Sequence, residues 1–221
     1  MIETALGTNV AFTAPHRLAT KAGFDILEAG GSAVEAMVAA AAQIAVVYPH
    51  MNSIGGDGFW LIKKEGENPV AIAACGPAAQ NASLDWYAEK GYSKSIPTRG
   101  PLAALTVPGT ISGWQLALDL DGAVSPIPLT ELLSAAINKA KKGIAVSRNQ
   151  YDTLKNKKPE LAEVPGFKKF YLNENDVPEA GSKLIQAKLG ETLEHLSRAG
   201  FGDFYTGELG KIHATFLQQQ G

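Results

Sequence analysis

The sequence has 221 residues with 20 basic and 22 acidic side chains, a formal net charge of −2. That balance gives no electrostatic reason to expect nucleic acid or an anionic membrane as a partner. Hydrophobic residues at 45% and charged residues at 19% describe a globular chain of one or two lobes, and the single cysteine, Cys75, excludes an intrachain disulfide.

Met1 to Gly7 lacks a basic start followed by an apolar run, so no signal peptide is expected. The expected location is cytoplasmic, or periplasmic if a leader was removed. Asn9 to Thr13 reads as a short strand. Pro15 suits the first turn of a helix, and Leu18, Ala22, Ile26 and Ala29 continue it at helical spacing. Gly30-Gly31 stops that helix, and Ser32 with Glu35 forms a capping box for the next. Ala36 to Tyr48 is apolar except for Gln43. At 13 residues it is shorter than the roughly 18 of a membrane span, so it predicts a buried helix ended by Pro49.

Gly55-Gly56-Asp57-Gly58 reads as a tight turn. Phe59 to Lys63 and Val70 to Ala74 follow as a hairpin closed over Glu65 to Asn68. Residues 76 to 108, rich in Pro, Gly, Ser and Ala, read as irregular. Thr110 is placed to cap a helix reaching about Leu120. Leu129 to Lys142 is periodic and ends at Gly143, and Ser147 caps a helix toward Lys157. Lys183 to Ala199 is amphipathic with Gly190 as a weak point, and Glu208 to Gln219 is the last helix. The lysine runs at 139–142 and 155–158 read as solvated faces.

No self-contained active site emerges. There is no Gly-x-Ser-x-Gly elbow, no cysteine pair for zinc and no His-Glu-x-x-His. His16, His50, His195 and His213 are scattered, and each reads as structural. The Gly55–Gly58 turn matches neither a phosphate loop nor a dinucleotide fingerprint. No metal, no cofactor and no catalytic residue in this chain are expected. Either the protein only binds, or its catalytic group lies elsewhere.

Several blocks carry a family resemblance. Ala14-Pro15-His16-Arg17-Leu18-Ala19 is followed by Ile26 to Ala36, then by Val47-Tyr48-Pro49-His50 and Ile54-Gly55-Gly56-Asp57-Gly58-Phe59. Val107 to Gly113, Gly143 to Ser147, Leu193 to Gly200 and Phe204-Tyr205-Thr206-Gly207 complete the set. In this order, over nearly all of residues 1–221, they resemble the N-terminal portion of the large subunit of γ-glutamyltranspeptidases, which is expected to be incomplete here. The resemblance implies an α+β, four-layer αββα N-terminal nucleophile hydrolase fold, of which this chain gives the helix-rich part. It also implies autoprocessing of a precursor. A small-molecule amide would then be cleaved through an acyl-enzyme on the terminal Thr of a C-terminal small subunit, the expected partner. No Thr of this chain stands in the expected cleavage context.

In that family the large subunit donates an arginine to the substrate's α-carboxylate, in an Asp-Phe-Arg-Glu-type stretch after the hairpin. Here the position falls on Cys75, and no arginine lies between Arg17 and Arg99. Losing such a clamp costs about 1.5–3 kcal/mol. The resemblance therefore allows a γ-glutamyl hydrolase or transferase, an oxamate amidohydrolase-like or acylase-like member, or a fragment that only binds or assembles. Cys75 and, less directly, Arg99 are the candidate substrate-binding residues, against a buried-core reading of Cys75 and a surface reading of Arg99. Asp57 reads as a turn former.

Overall fold

Ser32 decides where the longest buried helix begins. Its hydroxyl accepts from the Glu35 N–H at 3.0 Å, while the Glu35 carboxylate accepts from the Ser32 N–H at 2.8 Å. Two N–H groups that a helix start leaves unpaired are satisfied reciprocally. The computed structural model in which this is seen describes residues 6–123 and 126–220. Met1–Ala5, part of the segment on which the leader reading rests, lie outside the described residues.

In chain order the helices are α1 (Arg17–Glu28), α2 (Ala33–Val47), α3 (Leu84–Glu89), α4 (Thr110–Asp121), α5 (Leu129–Leu132) and α6 (Ser134–Lys142). Then follow α7 (Arg148–Leu161), α8 (Phe167–Tyr171), α9 (Ala187–Ala199), α10 (Asp203–Thr206) and α11 (Glu208–Gln220). The strands are β1 (Gly58–Ile62), β2 (Val70–Ala74), β3 (Ile144–Ala145) and β4 (Lys183–Leu184). They pair as β1–β2 and β3–β4 among the described residues. The α+β, helix-rich character is as expected. Contacts divide the chain into two compact units: Met1–Ser53, Trp114–Ile144 and Ile185–Phe201 form one, and Ile54–Gly113, Ala145–Leu184 and Gly202–Gly221 form the other.

The first unit is helical. α1 packs on α2, α2 on α6, and α6 on α9. α2 is buried on nearly every side, as its mostly apolar surface requires, Glu35 and Gln43 being its buried polar residues. Ile26, Ala36, Ala39 and Leu132 form a core cluster, with Phe12, Leu118 and Ile127 against it. The edge of Trp114 meets Phe201 at 5.6 Å.

Three expectations change here. Asn9–Thr13 is not a strand. Phe12 instead lies over Gly23 of α1, where a Cβ would come within 2.3 Å of the ring, so a helix and not a neighbouring strand receives this segment. The helix expected over 129–142 is broken at Leu133, which ends α5 and precedes α6. The stretch from Lys183 starts as strand: Gln186 then donates its N–H to Ala140 C=O at 2.9 Å and its Nε2 to Val46 C=O at 2.7 Å before α9 begins.

The second unit holds the hairpin. β1 and β2 are antiparallel, with Gly58 opposite Ala74 and Ile62 opposite Val70. Residues 76–108 are less irregular than expected. Ser83 caps α3 by accepting the Trp86 N–H at 3.1 Å, and the Tyr87 hydroxyl donates to Leu102 C=O at 2.9 Å. α7 runs beyond Lys157 to Leu161 through Pro159. A proline so near a helix end removes little of the ladder.

Candidate functional site

The site grows from the turn that feeds β1. Gly56 C=O accepts the N–H groups of Gly109 and Thr110, each at 2.9 Å, and the Thr110 hydroxyl at 2.8 Å. One carbonyl thus fixes the start of α4 beside the start of the hairpin. Thr110 is buried, and its Cα would lie 3.6 Å from a Cβ at Gly58.

The far end of the hairpin is clamped to the same segment. Pro77 to Ala79 runs antiparallel to Leu105 to Val107: Val107 N–H donates to Pro77 C=O and Ala79 N–H to Leu105 C=O, both at 3.0 Å. A Cβ on Gly76 would meet Val107 O at 1.7 Å, and one on Gly109 would meet Ala74 O at 2.1 Å. No side chain fits at either place, which is why glycine stands there. At Gly113 a Cβ would come within 2.6 Å of the Ala74 Cβ and 3.3 Å of the Trp60 indole nitrogen. Cys75 lies between these contacts.

Tyr205, from α10, ties off this platform. Its hydroxyl donates to Pro108 C=O at 2.8 Å and accepts the Ser112 N–H at 2.9 Å. The sequence singled out the block containing Tyr205 as part of a family pattern and gave its hydroxyl no role. The bond joins residues almost a hundred positions apart, a pairing that local pattern does not encode.

The thiol of Cys75 is solvent-exposed. The buried-core reading of this residue is therefore corrected: Ile72 and Ala74 face inward, and Cys75 lies beyond the strand's last residue. Arg99 is about half exposed. It donates to Thr98 C=O at 2.8 Å and lies 3.5 Å from Glu160 on α7. Lys157 bonds the same carboxylate, at 2.6 Å, and with Arg99 holds the Glu160 carboxyl below its ordinary value, Lys157 contributing most. Asp57 is exposed. On the other face of the hairpin from Trp60 and Ile72, Phe59 and Leu61 are 74% and 77% exposed, an apolar surface left uncovered by the described residues.

Two of the scattered histidines share an aromatic neighbour. Tyr48 meets His50 edge-on at 4.3 Å and His16 at 6.3 Å. Burial, and secondarily the Arg17 charge, lowers the His16 pKa below the ordinary histidine value. His213 lies edge-on to Phe204 at 4.7 Å. Among the described residues no group of three or more His, Cys, Asp or Glu side chains is gathered to hold a metal ion. None of the described helices is long and apolar enough to cross a membrane.

A family model for γ-glutamyltranspeptidase matches residues 19–221. The chain belongs to the γ-glutamyltranspeptidase family. It is 46% identical to the oxamate amidohydrolase proenzyme of Klebsiella pneumoniae, over 95% of this chain and 39% of that protein. It is 34% identical to the glutathione hydrolase-like YwrD proenzyme of Bacillus subtilis, over 100% of this chain and 41% of that protein. The chain thus spans about two fifths of the length of these curated relatives. Among solved structures it is similar to the γ-glutamyltranspeptidase of Pseudomonas nitroreducens, with TM-score 0.85 and 30% identity over 98% of this chain and 62% of that one. The helices and hairpin described above are the N-terminal, helix-rich part of the γ-glutamyltranspeptidase large-subunit fold.

Proposed function

We propose that residues 1–221 act as one large-subunit portion of an amide hydrolase whose nucleophile is the terminal Thr of a small subunit cut from the same precursor. We further propose that the substrate is a short amide of the oxamate class. The observation that carries this reading is the 46% identity, over 95% of the chain, to a protein named for oxamate hydrolysis. Cys75, at the position where the family arginine is expected, supports it.

The chemistry divides between the two parts. The Thr hydroxyl attacks the amide carbonyl, its own amine taking the proton. The tetrahedral intermediate collapses, ammonia leaves with that proton, and an oxalyl ester remains. Water then cleaves the ester and releases oxalate. This chain contributes a wall of the pocket. A γ-glutamyl group carries its α-carboxylate several bonds from the scissile carbonyl and needs a cation there. Oxamate carries its carboxylate on the neighbouring carbon, beside the nucleophile, and needs none at that distance. A thiol is a weak hydrogen-bond donor and brings no cation to the wall.

The test is a specificity swap in the processed precursor. Cys75→Arg should lower KM for a γ-glutamyl anilide by about ten- to hundredfold, the equivalent of one charge-assisted hydrogen bond. Wild-type protein should prefer oxamate. A wild-type KM for the γ-glutamyl anilide unchanged by Cys75→Arg, with no turnover of oxamate, would contradict the proposal.

A further inference from the structure

The hydroxyl of Tyr205 occupies an unusual position. Pro108 C=O and Ser112 N–H are four residues apart, the pair that would bond directly if α4 began earlier. The hydroxyl stands between them, donating at 2.8 Å to the carbonyl and accepting at 2.9 Å from the amide. It therefore sets the spacing of the segment Pro108 to Ser112.

That segment has no slack toward the hairpin. Gly109 lies so close to Ala74 that an added Cβ would be 2.1 Å from the Ala74 oxygen and 3.1 Å from the Cys75 nitrogen. On the other side of Cys75, Val107 is closer still to Gly76, its oxygen 1.7 Å from where a Cβ would stand. Gly56 C=O holds Gly109 and Thr110 from a third direction. A displacement of Pro108 and Gly109 is thereby passed to the backbone of Cys75 with no intervening flexible side chain.

We infer that Tyr205 is a positioning residue: its hydroxyl holds the Val107–Ser112 segment at the spacing that fixes Cys75 in the substrate wall. This rests on the proposed role of Cys75. Without the hydroxyl, Pro108 C=O and Ser112 N–H are left to close on each other as an ordinary helical pair, carrying Gly109 with them. Phe204, the residue before Tyr205, has a side chain with no hydrogen-bonding atom and so supplies neither of the two bonds of this link. Its ring is buried edge-on against Tyr205 and His213, at 5.1 and 4.7 Å, and supports the packing of α10.

The experiment compares Tyr205→Phe and Phe204→Leu in the processed full-length precursor. Three quantities are read: kcat and KM for oxamate, the rate at which iodoacetamide alkylates Cys75 (followed by peptide mass spectrometry), and the melting temperature. Tyr205→Phe should raise KM about fivefold, the equivalent of about one neutral hydrogen bond, and leave kcat within about twofold. It should change the alkylation rate of Cys75 at least about threefold, through the altered placement of the thiol. Phe204→Leu should lower the melting temperature at least as much as Tyr205→Phe does, with KM and alkylation near wild type.

Wild-type KM and alkylation rate in Tyr205→Phe would overturn the inference. So would an equal rise of KM in Phe204→Leu, which would reduce the effect to lost stability. A changed alkylation rate with an unchanged KM would uphold the link from Tyr205 to Cys75 and remove Cys75 from the substrate wall.

Discussion

Glu35 is almost fully buried, and both of its oxygens are used. One closes the capping box with Ser32, and the other accepts the Ile127 N–H at 2.6 Å from 92 residues away. The box was legible in the sequence because Ser and Glu stand three apart before an apolar run. The second bond was not, since it depends on where a distant loop returns. Glu35→Ala strips both N–H donors of their carboxyl partner, and a loss of about 3 kcal/mol is expected. Chemical denaturation of the processed protein measures it. His16 is a second cap: its Nδ1 accepts the Leu18 N–H at 3.2 Å, which requires an unprotonated nitrogen. Its folded pKa lies below the unfolded value, so the unfolded chain takes up the proton first. The stability His16 contributes is therefore fully present above about pH 6.5 and is lost as pH falls through the lower folded pKa. His16→Ser keeps a cap acceptor without the titration. Stability measured against pH should be flatter for the variant below about pH 6.5 and similar to wild type above it.

At the scale of elements, the two kinds of glycine contact differ in what must move. Gly109 faces the backbone oxygen of Ala74, which cannot turn away. Gly190 of α9 faces the side chain of Lys141, where an added Cβ would be 2.8 Å from Cγ, and a lysine stem can rotate. Gly109→Ala should cost about 3 kcal/mol through forced separation of hairpin and loop. Gly190→Ala should fall within about 1 kcal/mol of wild type, because improved helix propensity offsets the crowding. Thermal melts of the two variants side by side decide this. Gly190 reads in sequence as a weak point of a helix, whereas the fold uses it to bring α9 close to α6. The hairpin, the caps at Ser32 and Ser147 and the stops at Gly30 and Gly143 were legible because each is set by residues within a few positions. The break at Leu133 was not, as the periodicity runs through it unchanged. Asn9–Thr13 has strand-like composition, but strands need a neighbour, and the described structure pairs this segment with none.

For the whole molecule, family membership was legible in the order of the blocks, and the division of labour follows from it as a proposal. Nothing in the composition of the Cys75 platform reveals its rigidity. Gly56, Gly76, the Gly109-Thr110 pair and Tyr205 come from separate stretches of chain and meet only in the folded unit. The outer face of the hairpin, with Phe59 and Leu61 about three-quarters exposed, is suited to cover by further polypeptide. In the proposed enzyme this chain shapes and positions, while the bond-breaking hydroxyl arrives on the small subunit. The most direct measurement is oxamate turnover by purified residues 1–221 alone, set against the processed precursor at equal molarity. The account predicts steady release of oxalate from the processed precursor and none above the uncatalysed rate from residues 1–221. Release of oxalate by the isolated chain at a rate comparable to the precursor would contradict it.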